Sequence, residues 1–330
     1  MERRTFIPSV MLGLLTAPLA ARAQAPGPGK TARIGALALS AGPNPNMDIF
    51  LGLRELGWIE GQNLVVEYRW AAGQEDRLAA LAADLVRLKV DVIVTSSTPA
   101  ARAAKQATAT IPIVVTFVAD PLGSGLVASL ARPGGNITGL TTLAAGLVAK
   151  RLELLKAVVP GVKRVAVLWE PGVYAEHTTV RSMREETEAA ARALGLVTHL
   201  IGARRADDLP QAFASMGEAR DGAVLVFPSP MLFEARGEIV ALAAKGRLPV
   251  VYPWREVPEA GGLMAYGTNF PVMFRRAATY VDRILKGAKP GDLPIEQPTT
   301  FELIINLKTA RALGLTISHA VLQRADQVIE

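Results

Sequence analysis

Cysteine is absent from this 330-residue chain. That excludes a disulfide framework, a thiolate nucleophile, a cysteine metal site and an acylated-cysteine lipid anchor. Histidine is nearly absent. His177, His199 and His319 stand far apart, with no partner at ligand spacing, so no metal site is expected. Aromatic residues make up only 5% of the chain and the basic residues are scattered, so the dense basic stripe of a nucleic-acid surface is missing. Nucleotide motifs fail as well. Gly29-Lys30-Thr31 looks like the end of a phosphate-binding loop, but Gln24 occupies the position of the required first glycine, and the segment precedes the first strand instead of following it. Gly123-Ser124-Gly125 lacks the third glycine of a dinucleotide fingerprint. There is no Gly-x-Ser-x-Gly nucleophile elbow. No catalytic residue, cofactor or metal is therefore expected.

One long apolar run is present, at residues 5–21. Arg3 and Arg4 precede it and Ala21-Arg22-Ala23 follows, a small-x-small cleavage site. This is the pattern of a secretory signal peptide. Pro8 and Pro18 interrupt the run, which is also short for a membrane span. The expectation is export, with cleavage near Ala23 and a periplasmic mature protein. Arg3-Arg4-Thr5-Phe6-Ile7 partly matches a twin-arginine signal, which leaves the export route open. The signal carries Arg3, Arg4 and Arg22 against Glu2, so +4 of the chain's +6 remains after removal.

The rest alternates. Residues 24–30 are a flexible leader rich in Pro and Gly. Short β-rich runs at 33–39, 64–70, 90–95 and 113–117 are separated by helical patterns at 46–56, 74–89 and 98–108. In the second of these, Leu78, Leu81, Leu85 and Leu88 share one face. The alternation restarts after a break near Pro133-Gly134-Gly135-Asn136. Helices are expected at 144–159, 178–194, 209–220, 234–245 and 270–285, with strands at 164–169, 196–201, 223–227, 250–252 and 263–266. Repeated βα units mean parallel sheets covered on both faces. Two such runs, in some 300 mature residues, point to an α/β protein of two doubly wound lobes. In such sheets ligands meet the carboxyl ends of the strands.

Those strand ends carry the candidate binding residues. Ser40 follows the first strand. Ser96, Ser97 and Thr98 follow the third, with Pro99 opening a helix; Ser97 or Thr98 suits its N-cap, and free N–H groups there suit a carboxylate. Asp120 follows the fourth and could accept from an amine or hydroxyl. In the second run the equivalent ends are Trp169-Glu170, Pro228-Ser229-Pro230 after Phe227, and Tyr266-Gly267, and Phe117 adds an apolar wall. Each of Ser97, Thr98 and Asp120 could equally be a plain helix cap; the ring of polar and aromatic groups is what suggests a ligand cleft.

Several motifs add a resemblance. They are Leu53-Arg54-Glu55-Leu56-Gly57-Trp58, Glu60-Gly61-Gln62-Asn63, Glu67-Tyr68-Arg69-Trp70, Asp120-Pro121, Pro133-Gly134-Gly135-Asn136-Ile137-Thr138-Gly139, Phe274-Arg275-Arg276-Ala277-Ala278, Leu293-Pro294-Ile295-Glu296-Gln297-Pro298-Thr299 and the tail from Phe301 to Leu315. With these the chain resembles the extracytoplasmic substrate-binding proteins of ABC transporters, in the branch named for tryptophan and tyrosine uptake. The resemblance implies the type I periplasmic-binding fold, with three crossovers near Thr141, Tyr266 and Thr299. One lobe would then be 31–141 plus 267–299 and the other 142–266 plus 300–330. It also implies a monomer whose partners are a small organic ligand, amino-acid-like or carboxylated, and a membrane permease. Glu170 stands where the family often has asparagine before the proline, and His319 where it often has proline, so the branch's named substrates do not transfer. Two rival readings use the same residues: a ligand sensor of the same fold and an exported hydrolase.

Overall fold

The computed structural model describes residues 31–42, 49–118, 120–142, 145–171 and 178–330. The expected signal peptide and leader, His177 and the expected helix starts at 46 and 144 lie outside the described residues.

Five strands form the first sheet: β1 (Ala32–Ala38), β2 (Leu64–Trp70), β3 (Val92–Thr95), β4 (Ile113–Val118) and β5 (Ile137–Thr141). All pair in parallel, in the order β2-β1-β3-β4-β5. The crossovers contain α1 (Ile49–Glu55), α2 (Leu78–Arg87) and α3 (Thr98–Ala107). β3 is buried along its whole length, as an apolar Val-Ile-Val run between two helical layers should be. α2 buries Leu78, Ala82 and Leu85, with Leu81 and Leu88 packed at the margin.

The second sheet has seven strands: β6 (Arg164–Trp169), β7 (Val197–Gly202), β8 (Ala223–Val226), β9 (Val250–Tyr252), β10 (Met264–Thr268), β11 (Phe301–Asn306) and β12 (Gln327–Ile329). Their order is β12-β11-β10-β9-β8-β6-β7, and only the β10–β11 pair is antiparallel. Between them lie α4 (Val148–Val158), α5 (Thr178–Ala193), α6 (Leu209–Glu218), α7 (Pro230–Glu234), α8 (Arg236–Gly246), α9 (Glu256–Glu259), α10 (Phe270–Leu285), α11 (Leu307–Ala312) and α12 (His319–Leu322).

The chain passes between the sheets three times. It leaves the first after β5 and not at the glycine-rich stretch 133–136, because β5 still pairs with β4. It returns after β10, where α10 packs on α1, β4 and β5. It crosses again between Glu296, whose backbone pairs with Gly139 and Thr141, and β11. One apolar cluster runs from Ile34, Val92 and Val114 of the first sheet through Phe270 and Phe274 of α10 to Leu168, Val226, Tyr252 and Trp254 of the second lobe. Two close backbone approaches fix the strand ends. A Cβ at Gly139 would lie 2.0 Å from the Val115 carbonyl oxygen, and one at Gly267 would lie 2.0 Å from that of Pro253.

Candidate functional site at the strand ends

Each sheet has a place where consecutive crossovers leave in opposite directions. In the first it lies between β1 and β3; in the second, between β6 and β8. The loops after those strands part there and open a crevice at the carboxyl edge. They carry Ser40 and Ser96 in one lobe, Glu170 and Ser229 in the other.

Ser40 and Ser96 meet in one cavity of about 90 Å3, which Thr95, Thr116, Phe50 and Trp70 also line. Ser40 donates to the Gly42 carbonyl at 3.1 Å. Thr95 is only 1% exposed, and its Oγ1 is buried without a hydrogen-bond partner among the described residues. Such a group loses water contacts on folding and gains nothing in return, at a cost of about 1–3 kcal/mol. An unpaired hydroxyl on a cavity wall marks a place where an occupant can hydrogen-bond.

The neighbouring Ser97 and Thr98 are buried, at 6% and 7% exposure. Ser97 is the N-cap of α3, its Oγ accepting from the Ala100 N–H at 3.4 Å, and Thr98 is the first helical residue, which moves Pro99 to the second. Asp120 serves its own turn: Oδ1 accepts from the Gly123 N–H at 2.7 Å and its carbonyl from the Ser124 hydroxyl at 2.5 Å. Phe117 stands edge-on to Phe270, ring centres 4.7 Å apart.

The second lobe differs. Glu170 follows β6, and its Oε2 is buried without a hydrogen-bond partner among the described residues. Its carboxyl is pushed up to about 7, chiefly by burial. The Ser229 hydroxyl and the Met231 N–H face it and pull it back in part, while Glu75 and Glu234 raise it further. Glu75 belongs to the first lobe, after β2. It reaches solvent, yet surrounding protein raises its own carboxyl more than Arg102 lowers it. Glu75, from the first lobe, is thus among the acids that raise the Glu170 carboxyl of the second.

Trp169 is half-buried at the margin of the second core. Phe227 is 2% exposed and belongs to that core, so it backs the crevice from behind. Tyr266 is half-buried beside Phe301, and its carbonyl accepts from Arg151 Nε at 2.7 Å. Arg151 is 2% exposed, and burial lowers its guanidinium to about 10. Holding the end of β10, where the chain leaves the second lobe, is its visible task.

A larger cavity of about 250 Å3 lies among the crossovers, lined by Leu140, Asn269, Met273, Arg276, Glu296 and Gln297. Its charges are matched: Arg276 donates to both Glu296 oxygens, at 2.7 and 2.5 Å. It presents a closed ion pair, unlike the open carboxyl at Glu170. Among the described residues no cluster of His, Asp and Glu could hold a metal ion, and no helix is long and apolar enough to cross a membrane.

The family model described as ABC transporter substrate binding protein matches residues 47–329. The chain belongs to that family. A tyrosine-binding protein of Clostridioides difficile is 28% identical over 264 residues, 80% of this chain and 74% of the relative. A conserved domain protein of Vibrio cholerae superposes with a TM-score of 0.83 at 30% identity, covering 91% of this chain and all of that one. A Streptococcus pneumoniae domain solved with L-Trp gives 0.81 at 27%, covering 91% and all of it. The fold is therefore of the periplasmic-binding type I class, and the family consists of substrate-binding proteins and not of enzymes.

The expected residues fall into two groups in this family member. Ser40 and Ser96 share a cavity, and Glu170 and Tyr266 line up with the second lobe's strand ends; Ser97, Asp120 and Phe227 are engaged by cap, turn and core. Sequence reasoning missed Thr95, Glu75 and Arg151. Ser229, expected at a strand end, caps a helix as Ser97 does, its Oγ accepting from the Leu232 N–H at 3.0 Å.

Proposed function

We propose that this protein is the extracytoplasmic solute-capturing component of an ABC importer, exported to the periplasm with its signal removed near Ala23. It acts as a monomer and delivers its ligand to a membrane permease. The lobes are 31–141 plus 267–299 and 142–266 plus 300–330, and closing them buries a small organic, amino-acid-like or carboxylated ligand. Ser40, Thr95 and Ser96 meet it from one side, Glu170, Trp169 and Tyr266 from the other.

The observation that carries this reading is the pair of switch-point crevices: Ser40, Thr95 and Ser96 line one cavity at the first, and Glu170 brings a buried oxygen, without a partner among the described residues, to the second. Family membership supports it, as does the amino-acid chemistry named for two relatives.

The test is a thermal-shift screen of the purified protein against amino acids, aromatic acids and short carboxylates. A ligand at about 100 times its Kd adds roughly 2.7 kcal/mol to stability. That moves the melting midpoint of a chain this size by several degrees. A shift confined to one compound class, with no turnover, is the expected result. Turnover of any panel compound would contradict it.

A further inference from the structure

The second sheet has two edges. Its carboxyl edge opens on the crevice, and its amino edge lies at the far end of the same strands. β6, β7, β8 and β9 are parallel and begin within a residue of one another: Arg164 stands opposite Val197, Val165 opposite Ala223 and Val224 opposite Val250. The turns that feed these strands, residues 160–164, 192–197, 217–222 and 245–249, therefore share one face. Cations scattered in the sequence meet there: Lys163, Arg164, Arg192, Arg220, Lys245 and Arg247, all exposed. The same turns hold two acids, Glu218 and Asp221. Asp221 is turned inward, its side chain fully buried against Arg164 and His199 at 3.6 and 2.9 Å. Glu218 is the one exposed acid of these turns. Among the described residues, the five cations other than Arg164 form no ion pair.

Helix ends explain part of this charge, since a cation complements the negative end of the helix dipole. They do not explain Arg220 and Arg247. These stand just past α6 and α8, in the left-handed region, at φ +54° and +51°. Glycine is the usual residue there, because it adopts that conformation without strain. The chain does place glycine after α1, α5, α10 and α11, at Gly57, Gly195, Gly287 and Gly314. Arginine after α6 and α8 keeps a charge at the cost of backbone strain, and such outliers point to function. The amino edge of the first sheet is balanced instead. Lys89 also has φ +51°, but Asp91 follows it closely and Arg33 pairs with Glu67.

We propose that the amino edge of the second sheet is a docking face for an anionic lipid bilayer. The chemistry of the face selects this occupant. A protein partner needs an aromatic or apolar anchor packed at the centre of its footprint. None of the four turns carries an aromatic residue, and Val197 is their one large exposed apolar side chain. Bases of a nucleic acid would likewise find nothing to stack on. Long basic side chains without partners suit a diffuse layer of headgroup charge, where each is worth about fivefold in affinity. The proposal goes beyond the solute-capturing reading. The face lies at the opposite end of the strands from the crevice, so adhesion leaves the crevice free to fill.

The experiment is sedimentation of the protein, purified after export, with two kinds of vesicle. One is phosphatidylcholine alone; the other is phosphatidylcholine mixed equally with phosphatidylglycerol. We expect sedimentation with the mixed vesicles only, lost at about 1 M salt, where the Debye length falls to about 3 Å. Arg220→Gly and Arg247→Gly each remove a charge and relieve the left-handed strain, so folding is not at issue. Each should weaken vesicle binding about fivefold, while the melting midpoint holds or rises. Lys89→Gly makes the same change at the same φ in the other lobe and should leave vesicle binding as it is. No sedimentation with mixed vesicles, or equal sedimentation with both kinds, would overturn the proposal. So would a loss in Lys89→Gly as large as in Arg220→Gly, which would reduce the effect to net charge. Tighter binding of a double-stranded oligonucleotide than of the mixed vesicles would overturn the lipid assignment.

Discussion

Asp120 and Glu170 are both acids just past a strand end, Asp120 after β4 and Glu170 after β6, yet they have opposite fates. Asp120 closes its own turn, with Gly123 and Ser124 bonded to it. Glu170 is left with a buried oxygen that nothing in the described chain satisfies. Asp120 is followed by Pro121 and a tight turn whose amides fold back on it. Among the described residues, the groups that face Glu170 come from the β8–α7 loop, from α7 and from the other lobe. An acid that its own loop satisfies builds structure. An acid that depends on distant elements is available to a ligand.

The contrast can be broken most severely from beneath the first lobe. Gly139 has φ +131° and lies against the Val115 carbonyl of β4, the strand that leads to Asp120. Gly139→Ala should cost about 3 kcal/mol or more, read as a large fall in the denaturant midpoint or loss of soluble protein. Near-native stability would mean β4 and β5 can part without harm.

Next in size is a pH effect on the unliganded protein. The folded state raises the Glu170 carboxyl from its ordinary value to about 7. The fold thus favours the protonated form. Its stabilising contribution is full below the ordinary carboxyl range and is lost as pH rises through about 7. Differential scanning calorimetry between pH 5 and 8 should show this fall, and Glu170→Gln should remove it. An identical slope in the variant would place the titrating group elsewhere.

Smaller is the effect of Asp120→Ala. It removes the turn bond to Gly123 and should cost about 1 kcal/mol of stability, with ligand affinity changed less than twofold. A large loss of affinity without loss of stability would return the ligand contact to Asp120. Smallest is Ser97→Ala, whose cap bond is long at 3.4 Å. It should cost about 0.5–1 kcal/mol in urea unfolding.

The same distinction governs what the sequence made legible. Strands β2, β6 and β9 and helix α10 appear at the expected residues because long apolar periodicity and flanking Gly or Pro define them. β5 was hidden by its own composition. Its Thr138 and Gly139 resemble a loop continuing from 133–136, whereas Gly139 is there because β4 approaches too closely for a side chain. β11 and β12 went unmarked because the tail enters the sheet by pairing β11 with β10 and β12 with β11, which no local pattern encodes. The helix expected at 234–245 is α8, and the short α7 before it, started by Ser229-Pro230, went unmarked. At the site, the caps were readable from residue type and position. The state of Glu170 was not, because it arises from burial and from Glu75, 95 positions earlier in the chain.

The central claim is that the ligand lies between the switch-point loops of the two lobes. The most direct test is a crystal structure of the protein with the compound that gives the largest thermal shift. The account predicts that compound between Glu170 and the cavity of Ser40, Thr95 and Ser96, within hydrogen-bonding distance of Glu170 Oε2. A ligand found instead in the crossover cavity beside Arg276 and Glu296, with Glu170 untouched, would contradict it.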